Sequence, residues 1–388
     1  MNNGNNTASV KAKSLNEQAV QIKKSRLRIP HPPIWALICF FCAAVCGICH
    51  IAARNSVAFA TFFTDNIASV FRFVFAKLTN LLPFSLAETA IICIPLIVTV
   101  FLVWAWRTIK KGRPSRPFYL LFSALFVYYS VFVLTFACGY NAERIDKRLG
   151  IERKDVSAEE LYYTAQQLSL EVNGAVESID FASDGFSIMP YSYDEMSRKL
   201  CEAYKTFSSK HTFIQSYNTR LKPVALSVAM SYAHTTGVYT AITGEANLNI
   251  DFPDYSLPYT AAHELAHQRG VSREDEANFI AFLVCLESDD NYIRYSGALG
   301  MLEYTLNALY SANKDLYKEV YLALEEEVKG ELRAYSAFFN KYRESTASKV
   351  NNAVNDTYLK MQGTEGTKSY GMAVDLAVAY YLNQACEK

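Results

Sequence analysis

The segment HELAHQRGVSREDEAN, residues 263–278, gathers histidines and carboxylates at a spacing that suits metal chemistry. His263 and His267 are four residues apart, so on a helix their imidazoles project from one face, one turn apart. In this H-E-x-x-H pattern, two neutral imidazoles bind one zinc ion. Glu264 lies about a hundred degrees around the helix, where it is placed to act as general base on a zinc-activated water. The spacing therefore predicts a Zn2+ site that hydrolyses a substrate.

Zinc needs a third protein ligand, and the candidates follow a predicted turn at Gly270. Arg273, which cannot bind zinc, occupies the position at which the pattern HExxHxxGxxH has its third histidine. Two glutamates come next, Glu274 and Glu276, at the start of a second helix. They are about 200 degrees apart on that helix, so only one of them can face the metal.

The run Glu274-Asp275-Glu276-Ala277-Asn278 resembles the second-helix signature E-x-x-A-[DN] of glutamate-liganded zinc peptidases. In that signature the first glutamate binds the metal. The resemblance implies Glu274 as the third ligand, with Glu276 as the alternative. It also implies that Asn278, one turn later, orients one of the histidines by a hydrogen bond.

Most of the chain that must position this segment is predicted to be helical. Capping boxes at Ser157–Glu160 and Ser192–Glu195 begin two helices. Ser272 and Asp275 are predicted to cap the helix that follows Gly270. Directly before the zinc helix, two short runs rich in β-branched and alternating residues flank Thr243-Gly244-Glu245, which predicts a β-hairpin over Gly237–Asp251.

Three stretches near the N-terminus carry almost no charge and are long enough, or nearly so, to cross a bilayer as helices. They are Ile34–Ala53, Thr89–Trp106 and Pro117–Tyr140. Between the first two, apolar residues recur at helical spacing over Asp65–Leu82, which predicts an amphipathic helix lying on the outer leaflet. Pro95, inside the second stretch, is tolerable in lipid because neighbouring helices can satisfy the freed carbonyl.

The charges predict the orientation of these helices. The N-terminal tail holds six basic residues against one acid, and the loop Arg107–Arg116 holds five and none. The positive-inside rule therefore predicts a multi-pass protein of the cell membrane, with a cytoplasmic N-terminus and an extracytoplasmic C-terminal domain. Residues 1–138 hold 14 basic and 3 acidic residues, which leaves 24 and 35 and a net charge of −11 for the remainder. Such an acidic domain is not expected to bind nucleic acid.

Five segments resemble an uncharacterised family of bacterial membrane proteins: TGVYTAITGEANLN, LPYTAAHELAHQRG, REDEANFIAFL, RYSGAL and the run Val354–Tyr381. The resemblance covers essentially the whole chain from Pro33 onward. It implies three N-terminal spans and an extracytoplasmic zincin-like zinc metallopeptidase domain, and it implies no substrate.

A zinc peptidase also needs an edge strand that aligns an extended substrate and a donor that stabilises the oxyanion. The hairpin supplies the candidate strand, with Gly237, Val238, Tyr239 and Thr240, and Glu245 as a further contact to the substrate amine or to the ligands. The candidate donors are the tyrosines of the family-like motifs RYSG and KSYG, Tyr295 and Tyr370. For each of these residues, a structural role is the alternative.

The predicted fold is an α-helical membrane anchor of three transmembrane helices plus a mostly α, α+β zincin-like domain with a small β-hairpin. The expected divisions are a disordered cytoplasmic tail (residues 1–33), the anchor (34–140, with the interfacial helix at about 65–82) and the catalytic domain (141–388). The predicted function is a membrane-anchored zinc metallopeptidase that cleaves extracytoplasmic peptides or proteins, with Glu264 as general base. The alternatives are a non-catalytic zinc-dependent sensor or scaffold, and a zinc amidase that acts on cell-wall peptides.

Overall fold

The computed structural model describes residues 31–386, so the predicted cytoplasmic tail lies almost wholly outside the described residues. The described part is mostly helical, with one small sheet, as the sequence predicts. The helices of the N-terminal part are α1 (Ile34–Asn55), α2 (Val57–Phe62), α3 (Ser69–Asn80), α4 (Leu86–Ile92), α5 (Ile94–Lys110) and α6 (Ser115–Thr135). A π-helical turn, Phe63–Ala68, joins α2 to α3.

The remaining helices are α7 (Ile145–Leu149), α8 (Ala158–Ala175), α9 (Tyr193–Lys210), α10 (Ser227–Tyr232), α11 (Ser256–Gln268), α12 (Glu274–Leu286), α13 (Asn291–Ala312), α14 (Lys314–Ala323), α15 (Glu326–Asn340), α16 (Thr346–Met361) and α17 (Ala373–Cys386). The strands are β1 (Lys222–Val224), β2 (Gly237–Thr240) and β3 (Glu245–Asn249). β3 is central, parallel to β1 and antiparallel to β2. The predicted hairpin is therefore confirmed, and β1 is an addition that the sequence did not indicate.

Three helical stretches are long and apolar enough to cross a membrane: α1, the continuous stretch Val57–Asn80, and α6. Apolar helices near the N-terminus are thus confirmed: α1 coincides with the first predicted span, and α6 overlaps the third. The predicted second span, Thr89–Trp106, is a pair of helices, α4 and α5, bent by 57° at Cys93. Pro95 explains the bend because it lacks an N–H and its ring clashes with the carbonyl four residues earlier.

The stretch Val57–Asn80 contains the predicted interfacial helix, and its two faces differ. Ser69, Arg72, Ala76 and Thr79 are buried against the rest of the protein. The opposite face exposes large apolar side chains, among them Val70, Val74 and Leu78. The amphipathic character is therefore inverted relative to a surface helix of a water-soluble protein, since the polar side faces inward.

The predicted third span, Pro117–Tyr140, ends earlier than expected. α6 stops at Thr135, and a buried 3₁₀ turn, Ala137–Asn141, carries the chain into the C-terminal part. Phe136 and Tyr140 are buried there. The last residues of the predicted span therefore belong to the packing of the C-terminal part.

A single large core holds the C-terminal part together, and α11 and α12 lie within it. Every residue of α11 from Leu257 to Gln268 is buried, as is every residue of α12 from Glu274 to Cys285. The predicted capping box at Ser157–Glu160 is present, and Ser192 accepts the N–H of Glu195. The helices that carry the histidines and the acidic residues are thus embedded among other helices, which restricts the movement of their side chains.

Hydrogen bonds of Arg72 link the stretch Val57–Asn80 to the end of α6, and their contribution to stability can be tested. Its guanidinium is buried and donates to the carbonyls of Thr64 (2.9 Å) and Thr135 (3.1 Å). We predict that Arg72→Met lowers the thermal midpoint of the detergent-solubilised protein by about 5–10 °C, because two buried carbonyls lose their donor. The exposed Arg54→Met serves as control and is expected to change the midpoint by about 1 °C or less. Equal midpoints for the two variants would contradict the prediction.

Candidate metal centre

The turn at Gly270 brings the predicted ligands together. α11 ends at Gln268, and the N–H of Gly270 donates to the carbonyl of His267. Gly270 has φ +104°, a conformation that favours glycine, and a Cβ there would collide with the guanidinium of Arg72. The chain then turns sharply enough for α12 to start beside the histidine face of α11.

His263, His267 and Glu274 form one cluster, whose candidate ligand atoms lie within 4.8 Å of one another. Oε2 of Glu274 is 3.2 Å from Nε2 of His263 and 3.3 Å from Nε2 of His267. Ligands about 2.0–2.1 Å from a tetrahedral zinc ion are separated by about 3.3–3.4 Å. The donor set and its spacing therefore fit a zinc ion with an open fourth position.

The second ring nitrogen of His267 fixes its tautomer. Nδ1 lies 2.7 Å from the carbonyl of Val271, which can only accept, so Nδ1 carries the proton and a neutral ring presents a lone pair at Nε2. A hydrogen bond of this kind is the usual support of a metal-bound histidine. No sequence pattern identifies Val271 in this role, because a backbone carbonyl leaves no signal in residue types.

Two buried polar atoms at this cluster lack a hydrogen-bond partner among the described residues: Nδ1 of His263 and Oε2 of Glu264. Burial raises the pKa of Glu264, and the neighbouring imidazoles of His263 and His267 oppose that rise. Such unpaired atoms are costly in a packed interior, and a bound ion or water would lower that cost.

The pKa values of His267 and Glu274 depend on each other's charge. Burial acts to lower the pKa of His267, but the carboxylate of Glu274 outweighs it and raises that pKa to about 9. Burial likewise acts to raise the pKa of Glu274, and the two histidines more than offset it, so that pKa lies well below its usual range. Without a metal, the carboxylate is stabilised as an anion by the imidazoles.

Glu276, the alternative ligand, points elsewhere. Its Oε1 lies 2.9 Å from Nε of Arg144 and 3.5 Å from a terminal nitrogen of Arg273. Asp275 likewise pairs with Arg144 (2.9 Å) and Arg153 (2.8 Å). Of the three consecutive acidic residues, Glu274 therefore belongs to the histidine cluster, and the other two bind arginines.

The predicted cap of α12 is wrong. The helix begins at Glu274 without a side-chain cap, and the hydroxyl of Ser272 donates instead to the carbonyl of Phe136 (3.0 Å). Arg273 donates through Nε to the carbonyl of Tyr140 (2.9 Å). Both residues are used to bind the chain segment that follows α6.

Asn278 makes contacts other than the predicted one. Its side chain hydrogen-bonds Tyr304, and its carbonyl accepts the hydroxyl proton of Tyr259. Neither contact reaches a histidine of the cluster. The role that the resemblance implies for Asn278, orienting a histidine, gains no support from these bonds.

The predicted substrate strand, β2, lies against Glu264. β2 is at the edge of the sheet, and the N–H of Asn249 donates to the carbonyl of Thr236, so alternation points the amides of Val238 and Thr240 toward β3. The amide of Tyr239 points the other way, toward the side on which Glu264 lies. A Cβ on Gly237 would lie 2.6 Å from Oε1 of Glu264, so only glycine permits this approach.

Glu245 is on a different strand from the other residues that are predicted to align the substrate. It lies on β3, and its two carboxylate oxygens accept the N–H groups of Leu86 and Ala87, each at 2.9 Å. Glu245 therefore caps the N-terminus of α4, a favourable position for an anion. These bonds assign it a structural contact with the N-terminal helices.

Of the two predicted oxyanion donors, the described residues place only Tyr295, and its hydroxyl is bonded to a residue outside the cluster. The hydroxyl of Tyr295 is buried and donates to Glu331, and its ring packs on Phe181 and Tyr292. Tyr370 falls in the 3₁₀ turn Gly366–Met372, and its side chain lies outside the described residues.

Four aromatic residues pack beside the cluster, two of them against His267 and two behind Phe136. Phe136 packs edge-on against the ring of His267, with centroids 5.6 Å apart, and Tyr239 stacks at 6.5 Å. Tyr140 packs on Phe136, and its hydroxyl lies 3.2 Å from that of Tyr358. We call Phe136, Tyr140, Tyr239 and Tyr358 the aromatic cover. Only their contacts identify them, because no spacing rule links residues 136 and 358 to the histidines.

Metal analysis tests the ligand set. We predict that the purified protein binds about one zinc per chain, and that His263→Ala and Glu274→Ala each reduce this at least tenfold, since each removes one of three ligands. Glu276→Ala is the matched control, because it removes a neighbouring carboxylate that pairs with arginines, and it should keep its zinc. Loss of zinc in Glu276→Ala but not in Glu274→Ala would contradict the assignment.

Comparison with known proteins gives one match. Residues 63–378 match a family described as "Protein of unknown function (DUF3810)". No curated protein and no solved structure matches the chain. The matched residues include the apolar stretch from Phe63, both histidines of the cluster and Glu274. Because they make up most of the chain, the protein belongs to the DUF3810 family.

Proposed function

We propose that the protein is a membrane-anchored zinc metallopeptidase. The observation that carries the proposal is the convergence of His263, His267 and Glu274 at tetrahedral spacing, with Glu264 between this cluster and an edge strand. Three ligands with an open fourth position are typical of catalytic zinc sites, whereas structural sites use four. The positive-inside charges of the sequence favour an extracytoplasmic site.

Each residue has a defined role in this proposal. A bound zinc ion would supply a Lewis acid that lowers the pKa of water and polarises a carbonyl. Glu264 takes the proton of the attacking water at its unpaired Oε2 and delivers it to the leaving amine. The carbonyl of Val271 holds His267 in the required tautomer. The outward edge of β2 aligns an extended peptide by main-chain hydrogen bonds.

Tyr358 replaces Tyr295 in this proposal as the candidate donor to the oxyanion. Its hydroxyl pairs with that of Tyr140 beside the cluster, and the charge of Glu274 contributes, after burial, to a pKa of about 12 for Tyr358. A phenol that stays protonated at neutral pH can donate to developing negative charge.

A non-catalytic zinc-dependent sensor or scaffold is the second candidate, and one observation favours it. His263 and Glu274 are 9% exposed, His267 5% and Glu264 4%, so the cluster is almost closed beneath the aromatic cover. A peptidase requires this cover to open for a substrate, whereas a sensor could keep zinc enclosed.

Substitution of the general base separates the two candidates. We predict that the full-length protein cleaves a mixed peptide library only when zinc is bound, and that Glu264→Gln lowers the rate by about 10²–10⁴-fold because the proton acceptor is lost. Zinc content should be unchanged, since Glu264 is not a ligand. Rates are measured by mass spectrometry of the products.

The control is Glu287→Gln, which alters a glutamate paired with Lys210 at the end of α12 and should leave the rate unchanged. Zinc retained with no turnover in either the native protein or Glu264→Gln would support the sensor and overturn the peptidase.

The same substitution at Tyr358 and Tyr295 tests which of them is the catalytic tyrosine. We predict that Tyr358→Phe lowers kcat about 10–100-fold while zinc content stays unchanged, because a donor to the transition state is lost. The thermal midpoint should fall less than in Tyr295→Phe, since the hydroxyl of Tyr358 bonds only another neutral hydroxyl, that of Tyr140. Tyr295→Phe should instead lower the thermal midpoint and leave kcat unchanged, because it removes the buried bond to Glu331. The reverse pattern would restore Tyr295 as the catalytic tyrosine. Steady-state kinetics beside thermal unfolding measure both.

A further inference from the structure

The lengths of the apolar helices locate the candidate metal centre relative to a bilayer. α1 has 22 residues and α6 has 21, so they are about 33 and 32 Å long, against about 30 Å for the hydrocarbon core. Each helix is only slightly longer than the hydrocarbon core is thick, so an end of each must lie at the membrane surface. Ala53 of α1 and Val133 of α6 belong to one buried cluster, which places Asn55 and Thr135 at the same surface.

The candidate metal centre is in contact with that end of α6. Phe136, the first residue after α6, touches the ring of His267 and accepts a hydrogen bond from Ser272 through its carbonyl. Four residues later, Tyr140 accepts one from Arg273. The centre is therefore within about 10 Å of the end of a span, at the depth of the lipid headgroups.

The stretch Val57–Asn80 lies along the C-terminal part of the protein and does not lead away from it. Near its start, Thr61 accepts the N–H of Glu143 (2.8 Å). At its end, Lys77 donates to the carbonyl of Asn218 (2.9 Å) and Asn80 accepts the N–H of Arg220 (2.6 Å). Both ends thus contact one body on one side, which is incompatible with crossing the bilayer between them. With its apolar face exposed, this helix fits the bilayer surface.

β2 points toward this helix. The strand runs from Gly237 to Thr240, and the hairpin turn that follows places Gly244 against Phe75 and Ala76 of α3. An extended chain added to the free edge of β2 would have one end directed to the membrane surface. Because extended chain advances about 3.3 Å per residue, only a few residues separate such an end from the lipid.

We infer that the substrate is a polypeptide tethered to the same membrane and cut within about ten residues of the bilayer. This inference rests on the proposed peptidase function. A soluble peptide would have to reach a centre that faces the headgroups, whereas a membrane-tethered chain already emerges at that depth. Tethering would also raise its effective concentration at the edge of β2.

The experiment uses the full-length protein in lipid vesicles with two substrates. One is a randomised 40-residue segment fused to a single transmembrane helix, and the other is the same segment without the helix. We expect the tethered segment to be cleaved at least tenfold faster, with cut sites confined to the ten residues nearest the membrane. Mass spectrometry of the products gives both rate and position, and Glu264→Gln in matched vesicles gives the background.

The position of the cuts separates this inference from simple tethering. Cuts spread evenly along the tethered segment, or equal rates for the soluble segment, would overturn the inference and leave the peptidase intact. No zinc-dependent cleavage of either substrate would overturn the peptidase itself, and the inference with it.

A double variant on the exposed face of α3 tests whether this helix lies on the lipid surface. Val74→Glu with Leu78→Glu, on the exposed face of α3, should reduce cleavage of the tethered segment at least fivefold and leave zinc content unchanged. The control, Leu322→Glu, adds a charge at an exposed leucine of α14 and should have no effect. Equal rates for the double variant and the control would contradict the inferred role of α3.

Discussion

The turn at Gly270 is the constraint on which the candidate metal centre depends, and groups from the apolar N-terminal part hold it. The guanidinium of Arg72 fills the space beside Gly270, where any side chain would collide with it. The carbonyls that follow α6 accept hydrogen bonds from Ser272 and Arg273. If the turn opened, Glu274 would leave the histidines. The position of a carboxylate in the centre is therefore set by helices that are long and apolar enough to cross a membrane.

Burying this cluster carries an electrostatic cost that the described residues do not fully offset. Two histidines and two glutamates lie in a small, nearly closed volume, where charges are stable only when paired. Glu274 is paired with both imidazoles, yet Nδ1 of His263 and Oε2 of Glu264 remain without hydrogen-bond partners. A water beside a divalent cation would give Oε2 of Glu264 a partner, so this unsatisfied atom lies where the proposed chemistry needs it. Nδ1 of His263 is on the side of the ring away from Nε2 and would still need a partner of its own.

Residue spacing predicted the arrangement of residues that are neighbours in the sequence. It failed for contacts between distant chain segments. The histidines share a face because they are four residues apart, and Gly270 turns the chain for a reason visible in its residue type. The hydroxyl of Ser272 was predicted to cap α12, but a carbonyl that follows α6 competes for it. Tyr295 was chosen by its motif, but a buried carboxylate holds its hydroxyl. Phe136 meets His267, and Tyr358 meets Tyr140, through tertiary packing alone, which residue spacing does not encode.

Residues on the two sides of position 140 contact each other, so the predicted anchor and the C-terminal part build the candidate metal centre together. A boundary between residues 140 and 141 separates Phe136 from His267 and Tyr140 from Arg273, although each pair is in contact, and it separates Arg72 from the turn that it supports. Glu245 and Lys222 extend the contact, because Glu245 accepts the N–H of Leu86 at the start of α4 and Lys222 donates to the carbonyl of Thr79 near the end of α3. An anchor that served only to tether an enzyme would need none of these bonds. Because the N-terminal part supplies one wall of the centre, access to the centre and the position of the bilayer are coupled through the same residues.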